Sequence, residues 1–131
     1  MAVVLTDAQI QSLILAPKEL PGAYMEVLGR MTERRKHRRS ELEVATAAGR
    51  FFIKLRENVL NAFCFSAILG YRLESTTRIF RLRRYNGSHR HRNPIERETL
   101  DGFHIHMATE RYQALGGDEE TFAEPRTAIR P

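Results

Sequence analysis

Between residues 41 and 107, apolar side chains recur at alternate positions, in short runs broken by turn-forming residues. A period of two is the spacing of a strand with one covered face, and strands joined by turns of a few residues pair antiparallel. ELEVA (41–45) sets Leu42 and Val44 on one side, and after a turn at Ala48-Gly49, RFFIKLR (50–56) sets Phe51, Ile53 and Leu55 on one side. These two runs read as a hairpin. AFCFSAILGY (62–71) is apolar at both parities, as in a central strand covered on both faces. TRIFRLRRY (77–85) places Phe80 and Leu82 opposite Arg81, Arg83 and Tyr85, and the strong turn signal Asn86-Gly87 follows. GFHIHM (102–107) places Phe103, Ile105 and Met107 opposite His104 and His106. Residues 24–28 read as one further, weak strand.

Helical patterns flank these strands. Thr6 and Gln9 have the spacing of a capping box, Ile10, Leu13 and Ile14 follow at helical intervals, and Pro17 and Pro21-Gly22 end the run, so a helix is predicted over residues 7–15. ATERYQALGG (108–117) reads as a short helix closed by glycine, and the acidic stretch after it as a loosely held surface segment. The expected fold is α+β: a twisted antiparallel meander of five or six strands with short N- and C-terminal helices on one side. A chain of 131 residues suits one core, with a domain over 1–117 and a tail over 118–131.

The net charge of +5 and pI near 9.9 come from 18 arginines against three lysines. Arginine matches phosphate oxygens with a planar fork and stacks on bases, so a nucleic-acid partner is one reading; solubility is the other. No apolar run approaches the roughly 20 residues that cross a bilayer. No basic region with a cleavage site opens the chain, so no membrane partner and a cytoplasmic location are expected. Cys64, the one cysteine, lies in the apolar run AFCFSAIL and reads as a buried thiol; an intrachain disulfide is excluded.

With the Phe/Ile/Leu parity facing the core, the other parity carries Phe52, Lys54, Arg56, Arg81, Arg83, Tyr85, His104 and His106. Cations, imidazoles and rings on one sheet face suit RNA, whose bases stack while its phosphates meet charge. The plainer reading is the solvated face of an antiparallel sheet. TERRKHRRS (32–40), with Arg34, Arg35, Arg38 and Arg39, is a second basic block, read as a hairpin arm or loop along a phosphate backbone or as a solvated charge run. Arg90, Arg92 and Arg97 flank His89 and His91 and, with Arg81, Arg83 and Arg84, make residues 78–97 the most cationic stretch.

Four of the five histidines fall in two His-x-His pairs, His89/His91 and His104/His106, and three readings stay open. Imidazoles two apart on a strand share a face and can chelate one metal ion, although the nearby arginines oppose a cation. A metal-independent phosphodiester cut needs a base for the 2′-hydroxyl, an acid for the leaving oxygen and cations for the charged phosphorane. His89, His91, His104 and His106 can move the protons, Arg81, Arg83 and Arg84 can hold phosphate, Tyr85 can orient it, and Glu41 or Glu43 can act as base if close by. In the third reading the histidines hydrogen-bond across the sheet or lie exposed in a loop.

FRLRRYNGSHRHRNPIE (80–96) followed by FHIHMATERYQALG (103–116) resembles a family of small prokaryotic proteins defined as a domain of unknown function. The Arg84-Tyr85-Asn86…His89-Arg90-His91 part also resembles the RY-D/N…G-x-H-x-H stretch of the TumE-type toxins of toxin–antitoxin modules. The gap from Asn86 to the first histidine is shorter here, and His104-Ile105-His106 is additional. His89-x-His91-x4-Glu96 partly resembles the first cupin motif, without its preceding glycine and without a second motif. The toxin resemblance implies a protein acting on RNA, with an antitoxin partner. The leading expectation is therefore a metal-independent ribonuclease needing no cofactor, with Arg81, Arg83, Arg84, Arg90, Arg92, Lys54, Arg56, Arg34, Arg35, Arg38 and Arg39 on the nucleic acid. A non-catalytic nucleic-acid-binding or adaptor module and a histidine-coordinated metal protein are the alternatives.

Overall fold

The structure is a computed structural model that describes residues 3–125. In chain order the elements are α1 (Asp7–Leu15), α2 (Tyr24–Gly29), β1 (Thr32–Arg34), β2 (His37–Thr46), β3 (Gly49–Asn58), β4 (Phe65–Arg72), β5 (Ile79–Asn86), β6 (His91–Asn93), β7 (Glu98–Leu100), β8 (His104–Met107), α3 (Glu110–Leu115) and β9 (Phe122–Pro125). The fold is α+β. Seven strands form one antiparallel sheet in the order β1-β2-β3-β4-β5-β8-β9, and β6 pairs with β7 in a separate ribbon between β5 and β8. The sheet is the expected meander, widened beyond the expected five or six strands by short edge strands. β1 is wholly exposed and carries no alternation of apolar residues that would announce it.

Helix α1 starts where the capping box places it: Gln9 N–H donates to Thr6 Oγ1 at 3.1 Å, and Thr6 N–H donates to Gln9 Oε1 at 2.9 Å. Its Ile10 is buried among Leu42, Val44, Phe51, Phe80, Leu82 and Ala108, with Leu13 and Ile14 half-buried beside it. Covering a side chain such as Ile10 stabilises by about 2 kcal/mol, which anchors the helix on this face. Residues 24–28, expected as a weak strand, form helix α2. Tyr24, Val27 and Leu28 all pack on the same core, a three-and-four spacing that only a helix brings to one side. Among the described residues no helix is long and apolar enough to cross a membrane.

Strands β2 and β3 pair over ten positions, from His37↔Asn58 to Thr46↔Gly49, so the basic block continues the apolar hairpin. β1 turns back on β2 through Arg35 and Lys36, with Arg35 at φ 59°. Strand β5 carries a bulge: Leu69 pairs with Arg83 but Gly70 pairs with Arg81, which leaves Leu82 without a partner on β4. Leu82 stays in the core, and its carbonyl accepts from Ala108 N–H at 3.0 Å.

The end of the chain departs from the expected surface tail. β9 pairs with β8 along its whole length, and Glu119 and Glu120 before it are buried. Residues 126–131 of that tail lie outside the described residues. β9 also anchors the ribbon: Asn93 Nδ2 donates to Ala123 O at 2.8 Å, and Ala123 N–H donates to Asn93 Oδ1 at 2.9 Å. The turn between β6 and β7 is held to α3, where Ile95 N–H donates to Tyr112 Oη at 3.1 Å and Arg111 Nη2 lies 2.9 Å from Glu96. After β5, Gly87 N–H donates to Phe65 O and Ser88 N–H to Phe63 O. A Cβ at position 87 would overlap the Phe63 carbonyl oxygen, so this crossing of the two chains requires glycine.

Candidate nucleic-acid interface

Paired residues share a face of the sheet, so the register defines what stands opposite the core. Three rows cross that face: Arg39–Arg56–Ser66–Asn86–His104, then Glu41–Lys54–Ile68–Arg84–His106, then Glu43–Phe52–Gly70–Arg81. The bulge decides which arginines of β5 belong here. Arg81 pairs with Gly70 and Arg84 with Ile68, whereas Arg83 pairs with core-packed Leu69 and Tyr85 with Ala67. The expected surface that joined Arg81, Arg83 and Tyr85 is therefore corrected. Arg84 takes its place beside Arg81, and Tyr85, 40% exposed, belongs to the other side. Phe52 is buried, so it offers no ring for stacking.

The face is concave and holds three adjoining clefts. One of about 760 Å³ is lined by Arg39, Glu41, Lys54, Ile68, Arg81 and Arg84, among others. A second of about 270 Å³ shares Arg56, Ser66 and Arg84 with it and adds His37, Asn86 and His89. A third of about 600 Å³ runs along the β1–β2 turn past Arg34, Arg35, Lys36, His37, Arg39 and Arg56. Lys54 lies 4.0 Å from Glu41, but Arg39, Arg56 and Arg84 make no ion pair among the described residues. Partial desolvation and the charges of Arg56 and Arg39 hold the His37 imidazole below its usual value, so at neutral pH it is the free base. His89 Nε2 has no hydrogen-bond partner among the described residues.

His104 and His106 meet a different environment. Both project from β8 beneath the β6–β7 ribbon and are 1% and 2% exposed. The His91 ring lies against both, with centroids 5.7 Å from His104 and 4.5 Å from His106. Burial, then Arg84 and the neighbouring histidines, pushes His106 down to about 3, and burial also lowers His104. Neither residue lines a cleft described above, so neither reaches a bound chain as the molecule stands. Among the described residues, no three histidine, cysteine, aspartate or glutamate side chains already converge on one metal position.

Arg81 is claimed by the acidic turn before β9. Glu119 Oε2 accepts from Arg81 N–H at 3.0 Å and from Nε at 3.3 Å, Asp118 Oδ1 accepts from Nη2 at 3.3 Å, and Glu120 Oε2 lies 3.1 Å from Nε. Burial works against its charge, yet the three carboxylates together raise its pKa. Burial pushes Glu120 up despite Arg81 and Arg84, and its oxygens accept no hydrogen bond among the described residues.

The structure therefore gathers Arg34, Arg35, Arg39, Lys54, Arg56, Arg84 and His89 along one concave surface and leaves other expected residues elsewhere. Arg38 has the core parity and pairs with Glu57 at 3.8 Å; Arg90 lies 3.6 Å from Asp101; Arg92 is exposed on β6. Glu41 sits at the cleft, and Glu43 is held by Arg50 at 2.6 Å. His37, Ser66 and Asn86 were not singled out from the sequence. The available signal was parity, since His37, Arg39 and Glu41 alternate in step once β2 is extended back into the basic block. Comparison with protein-family models, with curated proteins and with solved structures returns no match.

Proposed function

We propose that the protein binds RNA along this concave face and cleaves its backbone there without a metal, with His37 and His89 as the proton-transfer pair. The observation that carries the reading is the second cleft, where two histidines stand among the unpaired cations Arg56 and Arg84. His37, neutral because desolvation and its arginine neighbours depress it, takes the proton of a 2′-hydroxyl. The 2′-oxygen attacks the adjacent phosphorus, Arg56 and Arg84 offset the charge of the phosphorane, and His89 passes a proton to the departing 5′-oxygen. The products are a 2′,3′-cyclic phosphate and a 5′-hydroxyl. The resemblance to TumE-type toxins points the same way and adds the expectation of an antitoxin protein that covers the basic face.

A second reading, RNA binding without turnover, draws on the burial of His104 and His106, which withdraws two of four expected proton carriers from contact with a substrate. One experiment separates the two. Purified protein is incubated with total RNA in EDTA, beside His37→Ala, His89→Ala and a Tyr85→Ala control. Cleavage lost in both histidine variants and kept in the control supports the ribonuclease. Retention of RNA without cleavage in any sample leaves the binding module, and no retention at low salt overturns both.

A further inference from the structure

The buried histidine cluster has a hydrogen-bond pattern that fixes its protons. His104 Nδ1 lies 2.8 Å from Gly102 O, and His106 Nδ1 lies 3.0 Å from Glu120 O and 3.2 Å from Thr121 O. Carbonyl oxygens only accept, so both Nδ1 atoms carry the hydrogen and both Nε2 atoms of the neutral rings are bare. Those two Nε2 atoms face each other at 3.1 Å. Two lone pairs at hydrogen-bond distance, in a pocket closed to water, repel unless something positive lies between them. His91 follows the same logic. Its Nε2 is 3.0 Å from Asn93 Oδ1, and the amide of Asn93 is oriented by its two bonds to the Ala123 backbone, with Oδ1 accepting. His91 Nε2 is therefore the donor, and its Nδ1 is bare.

His104 and His106 thus each have an N–H held by a backbone carbonyl and a bare nitrogen turned to the other ring, and His91 has its N–H held by Asn93, which is the arrangement that orients imidazole ligands on a metal. The ring centroids are 4.5, 4.8 and 5.7 Å apart. Metal–nitrogen bonds of about 2.0–2.1 Å bring two ligand nitrogens to roughly the separation of the His104 and His106 Nε2 atoms, whereas the His91 ring, stacked on His104 at 21° and edge-on to His106, has to turn to join them. We propose that His104, His106 and His91 bind one divalent transition ion of the zinc or nickel class. His104 and His106 already present their Nε2 atoms. His91, half-buried on a three-residue strand, is the ligand that adjusts. Arg84 opposes a dication, and the buried Glu120 side chain lies within electrostatic reach of Arg84. The ion would fasten the β6–β7 ribbon onto β8, a role separate from the cleft that holds His37 and His89.

The test uses the full chain without an affinity histidine tag, stripped with chelator, dialysed, and titrated with Zn²⁺ and with Co²⁺. Saturable binding of one equivalent, a cobalt absorption band of nitrogen ligation and a melting temperature raised by about 5 °C are expected. His104→Asn/His106→Asn should abolish binding, His91→Ala should weaken it at least about tenfold, and His37→Ala/His89→Ala should leave it unchanged. Where the double variant fails to fold by circular dichroism, the exchange at the more exposed His91 decides. Absence of binding to the folded wild type overturns the proposal, as does binding that survives in the double variant or a nitrogen NMR spectrum showing only a shared proton between the two Nε2 atoms. Because no RNA is present, these outcomes do not bear on the cleavage reading.

Discussion

Replacing Arg56 by alanine should flatten the salt dependence of RNA binding by a calculable amount. A cation that neutralises a phosphate of single-stranded RNA contributes about −0.7 to the slope of log affinity against log salt. Arg39, Arg56 and Arg84 line the clefts and make no ion pair among the described residues, which predicts a slope of about −2. If Arg34, Arg35 and Lys36 of the β1–β2 turn also reach the backbone, the slope becomes about −4. Raising salt from about 50 to about 200 mM then weakens binding by about 20-fold in the first case and about 300-fold in the second. Fluorescence anisotropy of a labelled single strand across a salt series reads this directly. Arg56→Ala should reduce the slope by about 0.7, whereas Arg81→Gln should leave it unchanged, because Asp118, Glu119 and Glu120 already balance that charge. Equal slopes for the wild type and Arg56→Ala, or a larger loss from Arg81→Gln, would refute the assignment of this face.

Three further outcomes are expected. The base limb of the cleavage profile should fall below pH 6.5, since desolvation and the charges of Arg56 and Arg39 disfavour protonated His37; removing one cation by Arg56→Ala should move the limb upward, and a downward move would contradict the sign. Gly87→Ala should destabilise by about 2 kcal/mol or more, read as the denaturant midpoint, because the new Cβ meets the Phe63 carbonyl. Asn93→Ala should cost about 2–4 kcal/mol by leaving the buried N–H and C=O of Ala123 without partners, and hydrogen exchange should show β9 losing protection first.

The alternation of ELEVA, RFFIKLR and TRIFRLRRY was enough to read the central hairpin and β5, because those strands bury one face against Ile10 and its neighbours. The capping residues of α1 were equally legible, since Thr6 and Gln9 act within four positions of each other. What escaped depends on partners distant in sequence. Residues 122–125 contain no alternating run, and they form a strand because β8 offers an open edge and Asn93 clamps Ala123 from 30 positions away. His104 and His106 were assigned to the correct face, but parity does not reveal that a ribbon closes over that face. The cleft histidine His37 was hidden inside a charge run whose strand character comes from pairing with β1 and β3.

The unpaired Leu82 works like a phase shift in a periodic signal. Upstream of it even-numbered residues of β5 face the core; downstream the odd ones do. Three arginines in four positions make the strand sensitive to where that shift falls. Were Leu82 paired with Leu69 and the bulge lost, Arg83 would pair with Ile68 and Arg84 with Ala67, and the strand would retain its net charge. Yet the guanidinium offered to the cleft beside Arg81 would then be that of Arg83, and Arg84 would turn to the other side of the sheet. One residue with no charge and no exposure thereby sets which guanidinium is available to a ligand and which is held internally.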